Sequence, residues 1–177
     1  MKHPQTHTVR RVAAAEASAC LEDLADVLID CVQGGASVGF MWPLPREQAL
    51  AFWHGVAAGV GRGERILVVA ADAQGRTVGT VQGVIAQPDN QPHRADVAKM
   101  LVHRSARRQG LAERLLQALD AELRAAGKTL AVLDTATGGD AERLYARLGW
   151  VPSGVIPDFA LFPDGSLCAT TVFYRRL

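Results

Sequence analysis

The chain has few of the features that mark secreted or membrane-spanning proteins. Only three cysteines occur in 177 residues, at Cys20, Cys31 and Cys168, and none are related by the C-x-x-C spacing typical of metal and redox sites. We therefore expect three free thiols, as in a reducing compartment. No apolar run approaches the roughly 20 residues that a membrane-spanning helix needs. The opening residues contain no apolar segment typical of a secretory signal. These absences favour a cytoplasmic protein without membrane contact.

The chain also lacks an excess of charge of either sign. Nineteen Lys and Arg residues against 18 Asp and Glu residues leave a net charge of +1, so no strong field invites nucleic acid. The five histidines are scattered and do not show paired metal-ligand spacing, so we expect no metal. Hydrophobic residues make up 49% of the chain, which is typical of a globular protein with a substantial core.

The apolar pattern predicts an α/β fold in which residues 1–177 form one domain. The elements follow the order β-α-α-β-β-β-α-β-α-β-β, with the first helix over residues 14–31 and the last two strands over residues 150–155 and 167–174. Because this order mixes hairpins with helical crossovers, it predicts a central mixed, mostly antiparallel sheet of about seven strands, flanked by about four helices.

One strand–turn–helix segment, residues 96–113, carries the strongest chemical signal. Its apolar strand leads into the turn Arg107-Arg108-Gln109-Gly110, after which leucines recur at helical spacing. A glycine-containing turn at a helix start presents free backbone N–H groups to an anion, and neighbouring arginines can bind phosphate oxygens. The segment therefore predicts a diphosphate site. It is neither a Walker loop nor a G-x-G-x-x-G dinucleotide turn.

This turn resembles the pyrophosphate-binding motif of the GNAT superfamily of acetyl-CoA-dependent N-acetyltransferases: Arg or Gln, two residues, Gly, one residue, then Gly or Ala. The predicted element order also resembles the GNAT fold over nearly the whole chain, which implies splayed strands around a cofactor cleft. The resemblance implies acetyl-CoA as cosubstrate, with its pantetheine arm along the central strand and its pyrophosphate at the turn. The residues that it assigns to cofactor binding are Met100, Leu101, Val102, Arg107, Arg108, Gln109, Gly110, Leu111, Ala112 and Glu113.

Three further residues are candidates for catalysis. Tyr145 matches the tyrosine of the family's Leu-Tyr-x-x-Leu-Gly-Phe/Trp motif, which protonates the departing thiolate; the alternative is a core tyrosine. Asp134 ends a strand. Asp96 begins the central strand and shares a face with Met100 and Val102 if the alternation is unbroken. An amine is mostly protonated at neutral pH, so a carboxylate is needed to bind it and take its proton, directly or through water. For both acids the alternative is an ordinary strand-end position.

Several short segments are similar to toxin-resistance acetyltransferases within the family. These segments are residues 34–41, 94–97, 105–107 and 133–135. The similarity implies a small-molecule amine as acceptor, for example the toxin tabtoxinine-β-lactam. An amino acid, a polyamine or a protein lysine remains open as acceptor, and so does a non-catalytic acetyl-CoA sensor. A pure binder would need only the turn, so the presence of Tyr145 and two acids favours an enzyme, acting as a monomer or homodimer.

Residues 34–41 are open to two interpretations from their composition. Small residues lead directly into Phe40, Met41 and Trp42. The segment either is a loop packed against the core or forms a wall of the substrate pocket, where glycines permit close approach.

Overall fold

The computed structural model describes residues 7–177, which form one seven-stranded sheet with helices on both faces. The strands are β1 (Thr8–Arg11), β2 (Arg65–Ala71), β3 (Thr77–Val84), β4 (Arg94–Val102), β5 (Leu130–Ala136), β6 (Val151–Leu161) and β7 (Leu167–Arg176). The helices are α1 (Leu21–Gln33), α2 (Arg46–Gly61), α3 (Leu111–Ala125) and α4 (Asp140–Arg147). No helix in this range is both long and apolar enough to cross a bilayer. The expectation about a secretory signal rests largely on residues 1–6, which lie outside the described range.

The strand order in the sheet is β1-β2-β3-β4-β5-β7-β6, and β4–β5 is the parallel pair among antiparallel neighbours. This arrangement confirms the predicted mixed, mostly antiparallel sheet. Two element bounds differ from the prediction. Residues Ala14–Cys20 form a separate 3-10 helix ahead of α1. Strand β6 continues to Leu161 because it pairs with β7 as far as Leu167.

Each face of the sheet has its own core. Helix α3 has leucines at helical spacing, and this stripe packs on the face that also carries α4; its buried members are Leu111, Leu115, Leu116, Leu119 and Leu123. The close approach of α3 depends on Gly83 of β3, where a Cβ atom would lie 2.8 Å from the Leu123 side chain. The opposite face packs against α1 and α2, around the fully buried Trp53.

Candidate active site

A cleft opens where β4 and β5 separate. The two strands pair only from Arg94 to Asp96 and from Leu130 to Val132. Beyond these residues the facing edge of β4 has no partner strand, so its remaining peptide groups on that edge can bind an extended ligand. The cavity there has a volume of about 910 Å³ and is lined by residues from β4, β5, the start of α3, α4 and the β6–β7 hairpin. The splayed strands expected from the resemblance are therefore present.

The turn before α3 carries a run of free backbone donors. The first hydrogen bond of the helix joins the Arg114 N–H to the Gly110 carbonyl at 3.2 Å. Within residues 7–177, the N–H groups of residues 108–113 donate to no protein acceptor. Arg108 (φ 60°) and Gly110 (φ 73°) both have left-handed backbone conformations, which turn these donors toward one side. Such a group of donors at a helix start is suited to binding an anion.

A buried carboxylate on α1 holds this turn in place. Asp30 accepts the backbone N–H of Arg104 at 2.9 Å and forms an ion pair with the Arg104 guanidinium. A second guanidinium, from Arg107, lies 3.8 Å from Asp30 and donates from Nε to the Val102 carbonyl at 3.0 Å. Both guanidinium groups therefore fix the shape of the turn. Arg108 is different, since its side chain has no ion pair or hydrogen bond among the described residues.

The structure brings nine of the ten proposed cofactor-binding residues to the lining of the cleft. They are Met100, Leu101, Val102, Arg107, Arg108, Gly110, Leu111, Ala112 and Glu113. The exception is Gln109, whose side-chain amide donates to the Ser105 carbonyl at 3.4 Å.

Tyr145 lies at the bottom of the cleft, on α4. Its ring packs edge-on against Trp150, with 5.8 Å between ring centroids, and is tilted against Phe173 at 6.1 Å. Its hydroxyl has no hydrogen-bond partner among residues 7–177. Burial raises the pKa of Tyr145 well above its ordinary value, and the negative charge of Asp134 adds to the rise. The hydroxyl therefore stays protonated and is free to donate into the cleft.

Asp134 lines the same cleft from the end of β5. Its Oδ2 accepts a hydrogen bond from the Thr170 hydroxyl at 3.0 Å. The Thr170 hydroxyl also lies 3.0 Å from the Thr135 carbonyl oxygen. It therefore connects β7 to the end of β5 at Asp134. Since the carboxylate itself is exposed, it retains oxygen lone pairs for a ligand.

Asp96 is not where the alternation along β4 predicted. The two steps from Thr80 to Gln82 on β3 are matched by three steps on β4, from Leu101 to Ala98, so β4 contains a bulge. The expectation that Asp96 shares a face with Met100 and Val102 is wrong, because this extra residue reverses the alternation. Asp96 instead forms an ion pair with Arg94 and accepts the Gln87 amide at 3.1 Å, outside the cleft lining.

Asp96 and Asp134 nevertheless share a sheet face. Asp96 pairs with Val132, two residues before Asp134 on β5. Three of the neighbours of the two acids, Ala95, Val97 and Leu133, belong to the core beneath α3. Both carboxylates therefore lie on the opposite face, the one that carries α1 and α2.

Residues 34–39 line the cleft, which supports the interpretation of this loop as a pocket wall. Ser37 donates to the Leu161 carbonyl at 2.9 Å, and the Trp42 N–H donates to the Pro163 carbonyl at 3.1 Å. These bonds connect the loop to the β6–β7 hairpin. Met41 and Trp42 lie outside the wall and are 45% and 44% exposed.

Among the lining residues that sequence reasoning missed are Lys99 and Phe159. Lys99 is the one charged side chain in the apolar run from Val97 to Val102, and that isolation was a signal that could have found it. Phe159 lies where three residues of β6, 157–159, stand opposite a single residue of β7, between the paired Ile156 and Ala160. No local signal marked that insertion. Within residues 7–177, no three His, Cys, Asp or Glu side chains are grouped so that they could hold a metal.

Comparison with known proteins identifies the class to which this cleft belongs. The chain matches the model of the acetyltransferase (GNAT) domain over residues 62–152. A protein of Azospirillum brasilense, described as an uncharacterized N-acetyltransferase in the hisH-hisA intergenic region, is 36% identical over 116 residues. That alignment covers 64% of this chain and 67% of the relative. The chain belongs to the GNAT superfamily of acetyl-CoA-dependent N-acetyltransferases.

Solved structures agree with the fold. A phosphinothricin acetyltransferase of Sinorhizobium meliloti, in complex with acetyl-CoA, superposes with a TM-score of 0.76 at 20% identity, covering 97% of this chain and 89% of that one. An N-acetyltransferase of Staphylococcus aureus gives a TM-score of 0.77 at 17% identity, covering 97% and 98% of the two chains. At these identities the likeness shows the shared fold.

Proposed function

We propose that this protein transfers the acetyl group of acetyl-CoA to the amine of a small molecule, by direct attack of the amine on the thioester. One observation carries the proposal. A single cavity contains the free N–H groups of the α3 turn together with Asp134 and Tyr145. The turn alone would suffice for binding a cofactor. A carboxylate and an unpartnered phenol in the same cavity are what acyl transfer to an amine needs in addition.

The residues present fit acetyl-CoA. The pyrophosphate would meet the N–H groups of residues 108–113 and the side chain of Arg108, while Arg107 and Asp30 keep the turn in shape. The pantetheine arm would lie along Met100, Leu101 and Val102, on the edge of β4 where pairing with β5 has ended at Asp96. Gln109 is the weakest member of the proposed set, because its side chain points to Ser105. Bound here, acetyl-CoA would supply the acetyl group as a thioester.

The side chains divide the proton transfers between them. Asp134 would bind the acceptor's ammonium and take its proton, and Asp96 on the same face would assist through water, because Arg94 and Gln87 hold it outside the lining. As the C–N bond forms and the C–S bond breaks, backbone N–H groups of β4 would donate to the thioester oxygen, which gains charge. Tyr145 would donate its proton to the departing sulfur. The nitrogen, now bonded to the acetyl carbon, would lose its second proton, which would restore the phenol through solvent, while Asp134 passes the first proton to solvent.

Tabtoxinine-β-lactam is the particular acceptor that we propose to test first. Its support is the similarity of residues 34–41, 94–97, 105–107 and 133–135 to the tabtoxin resistance protein, in which an acid before the central strand, a strand-end aspartate and a tyrosine are proposed to act together. All four segments contribute residues to the cleft lining. We expect the enzyme to act as a monomer or homodimer.

The test is release of the coenzyme A thiol from acetyl-CoA with tabtoxinine-β-lactam, amino acids, polyamines and histone peptides as acceptors. Saturable release with the β-lactam would support the toxin as substrate. Release with another amine alone would retain the reaction and reject the toxin. If acetyl-CoA bound, as measured by calorimetry, and no acceptor caused release, the protein would be an acetyl-CoA sensor and the proposed reaction would be wrong.

A further inference from the structure

Lys99 reaches the cleft because it occupies the bulge of β4. Its φ angle is 51°, a left-handed conformation that is unfavourable for a lysine. Backbone strain of this kind persists where the surrounding structure imposes it, commonly at ligand sites. The bulge has a definite consequence here, since it turns a charged side chain of the central strand into the cavity that also contains Asp134.

The Lys99 ammonium lies among groups that cannot accept its hydrogen bonds. Its Nζ is 5.3 Å from the ring centroid of Phe52 and 5.9 Å from that of Phe40. A Cβ atom placed on Gly39 would lie 3.8 Å from the same nitrogen. Among the described residues, Nζ has neither a hydrogen bond nor an ion pair. Aromatic faces stabilise a cation without satisfying its N–H donors.

The electrostatics of this position favour an incoming anion. Burial lowers the pKa of Lys99, the nearby charge of Asp134 opposes the fall, and Arg65 adds to it. A partly buried ammonium without an acceptor is costly. A carboxylate placed beside Nζ would satisfy its donors and favour the charged form of the amine.

We propose that Lys99 binds a carboxylate of the acceptor, so that the substrates of this enzyme are small α-amino acids or their analogues. The acceptor's ammonium would lie at Asp134 and its carboxylate at Lys99, whose ammonium the rings of Phe40 and Phe52 flank. Lys99 is thus a specificity-determining residue. The inference rests on the proposed acetyl transfer and narrows its substrate class.

Polyamines fit this cleft poorly under the same argument. They carry only cations, and one of those would have to approach the Lys99 ammonium in the same cavity. A carboxamide tests the point more finely, because it keeps the shape of the carboxylate while it removes the charge and replaces one acceptor oxygen with an NH2 donor. The proposal therefore predicts discrimination between an amino acid and its own α-carboxamide.

The experiment compares matched pairs of acceptors: L-alanine, L-leucine, L-phenylalanine, L-glutamate and tabtoxinine-β-lactam, each with its α-carboxamide. Kinetics are measured by thiol release for the wild type, Lys99→Met and Lys99→Arg. Arg62→Met, which removes an exposed cation paired with Glu64 away from the cleft, is the matched control. Thermal melts identify any variant that fails to fold.

We expect Lys99→Met to raise KM for the best carboxylate acceptor about 10- to 100-fold, the range of a lost charge-assisted hydrogen bond. For Lys99→Met, the KM for the carboxamide and the kcat should both stay within about threefold of the wild-type values, because smaller differences do not identify a lost contact. Lys99→Arg should recover part of the carboxylate preference, and Arg62→Met should behave as wild type. Equal losses with acid and amide, or a loss confined to kcat, would overturn the assignment.

Binding provides a second measurement that does not need turnover. Saturation-transfer NMR with the coenzyme A complex can compare each amino acid with its carboxamide in wild type and Lys99→Met. A wild-type preference for the amino acid that is lost in Lys99→Met supports the site even if no acetyl transfer occurs. Equal binding of acid and amide by the wild type, in this measurement and in turnover, would overturn the inference. Failure of the proposed reaction is thereby distinguished from failure of the carboxylate site.

Discussion

Tyr145→Phe distinguishes a catalytic tyrosine from a core tyrosine. For a catalytic tyrosine, the structure predicts a large loss of rate with little change in stability. The hydroxyl has no protein partner among residues 7–177, so its removal leaves no unsatisfied group behind. The contacts with Trp150 and Phe173 involve the ring, which phenylalanine keeps. We expect the free energy of unfolding to change by less than about 1 kcal/mol, since no net hydrogen bond is lost. A general acid contributes about 10²- to 10⁴-fold, and kcat should fall by that factor.

The assay is thiol release at saturating acetyl-CoA and saturating acceptor, together with urea unfolding of the same preparations. Tyr174→Phe is the matched control, since Tyr174 is the other tyrosine of the chain and does not line the cleft. If Tyr145→Phe kept kcat within about threefold of wild type, Tyr145 would not be the acid, because that loss lies far below the range for a general acid. A large loss of stability with a proportionate loss of rate would instead assign a core role.

The same tyrosine predicts a pH profile. Burial raises the pKa of Tyr145 above the ordinary value of 10.0, which means that the neutral, proton-donating form persists to higher pH. The kcat of the wild type should therefore show no fall with a midpoint near pH 10.0 that depends on Tyr145. The reasoning would be refuted by a fall at that pH in the wild type which disappears in Tyr145→Phe.

Three further predictions concern the scaffold. Gly83→Ala should cost about 1–3 kcal/mol of unfolding free energy, because its Cβ would lie 2.8 Å from Leu123; Gly154→Ala, with nothing within 4 Å, is the strand control, and equal urea midpoints would contradict the packing argument. Asp30→Ala should weaken acetyl-CoA binding about tenfold in calorimetry by releasing the turn, and unchanged affinity would show that the turn holds itself. Burial raises the pKa of Asp120 above the ordinary 3.8, so this carboxyl favours folding at low pH and loses that contribution as pH rises. Asp120→Asn should thus gain stability relative to wild type as the pH rises above about 4, and a stability difference that stays constant with pH in urea unfolding would refute this.

The fold and the anion-binding turn could be predicted from sequence because their causes are local. Gly110 has a left-handed conformation directly before the leucine stripe of α3. The arginines of the turn, this glycine and the stripe are therefore neighbours in the chain. The same is true of Tyr145, which lies on a short helix with its own apolar stripe. Wherever the required geometry comes from hydrogen bonding within a few residues, the pattern in the sequence was sufficient.

The contacts that complete the site could not be predicted, because they join distant parts of the chain. Asp30 on α1 holds Arg104 and Arg107, more than 70 residues later. The bulge in β4 follows from its register with β3, and no residue type in the strand announces it. A single extra residue reverses the face of everything beyond it, and this is why Asp96 was assigned to the wrong face and Lys99 was overlooked.

Under the proposed function, these two kinds of contact divide the cleft into a cofactor side and an acceptor side. The cofactor side works through backbone N–H groups and an open strand edge, which many sequences can supply, so it indicates the reaction and says little about the acceptor. The acceptor side works through side chains that the bulge and the 34–39 loop bring together. Structures at 17–20% identity share the fold. If the proposed function holds, the identity of the acceptor must therefore be sought in Lys99 and Asp134, where a single change of charge is expected to alter which amine is acetylated.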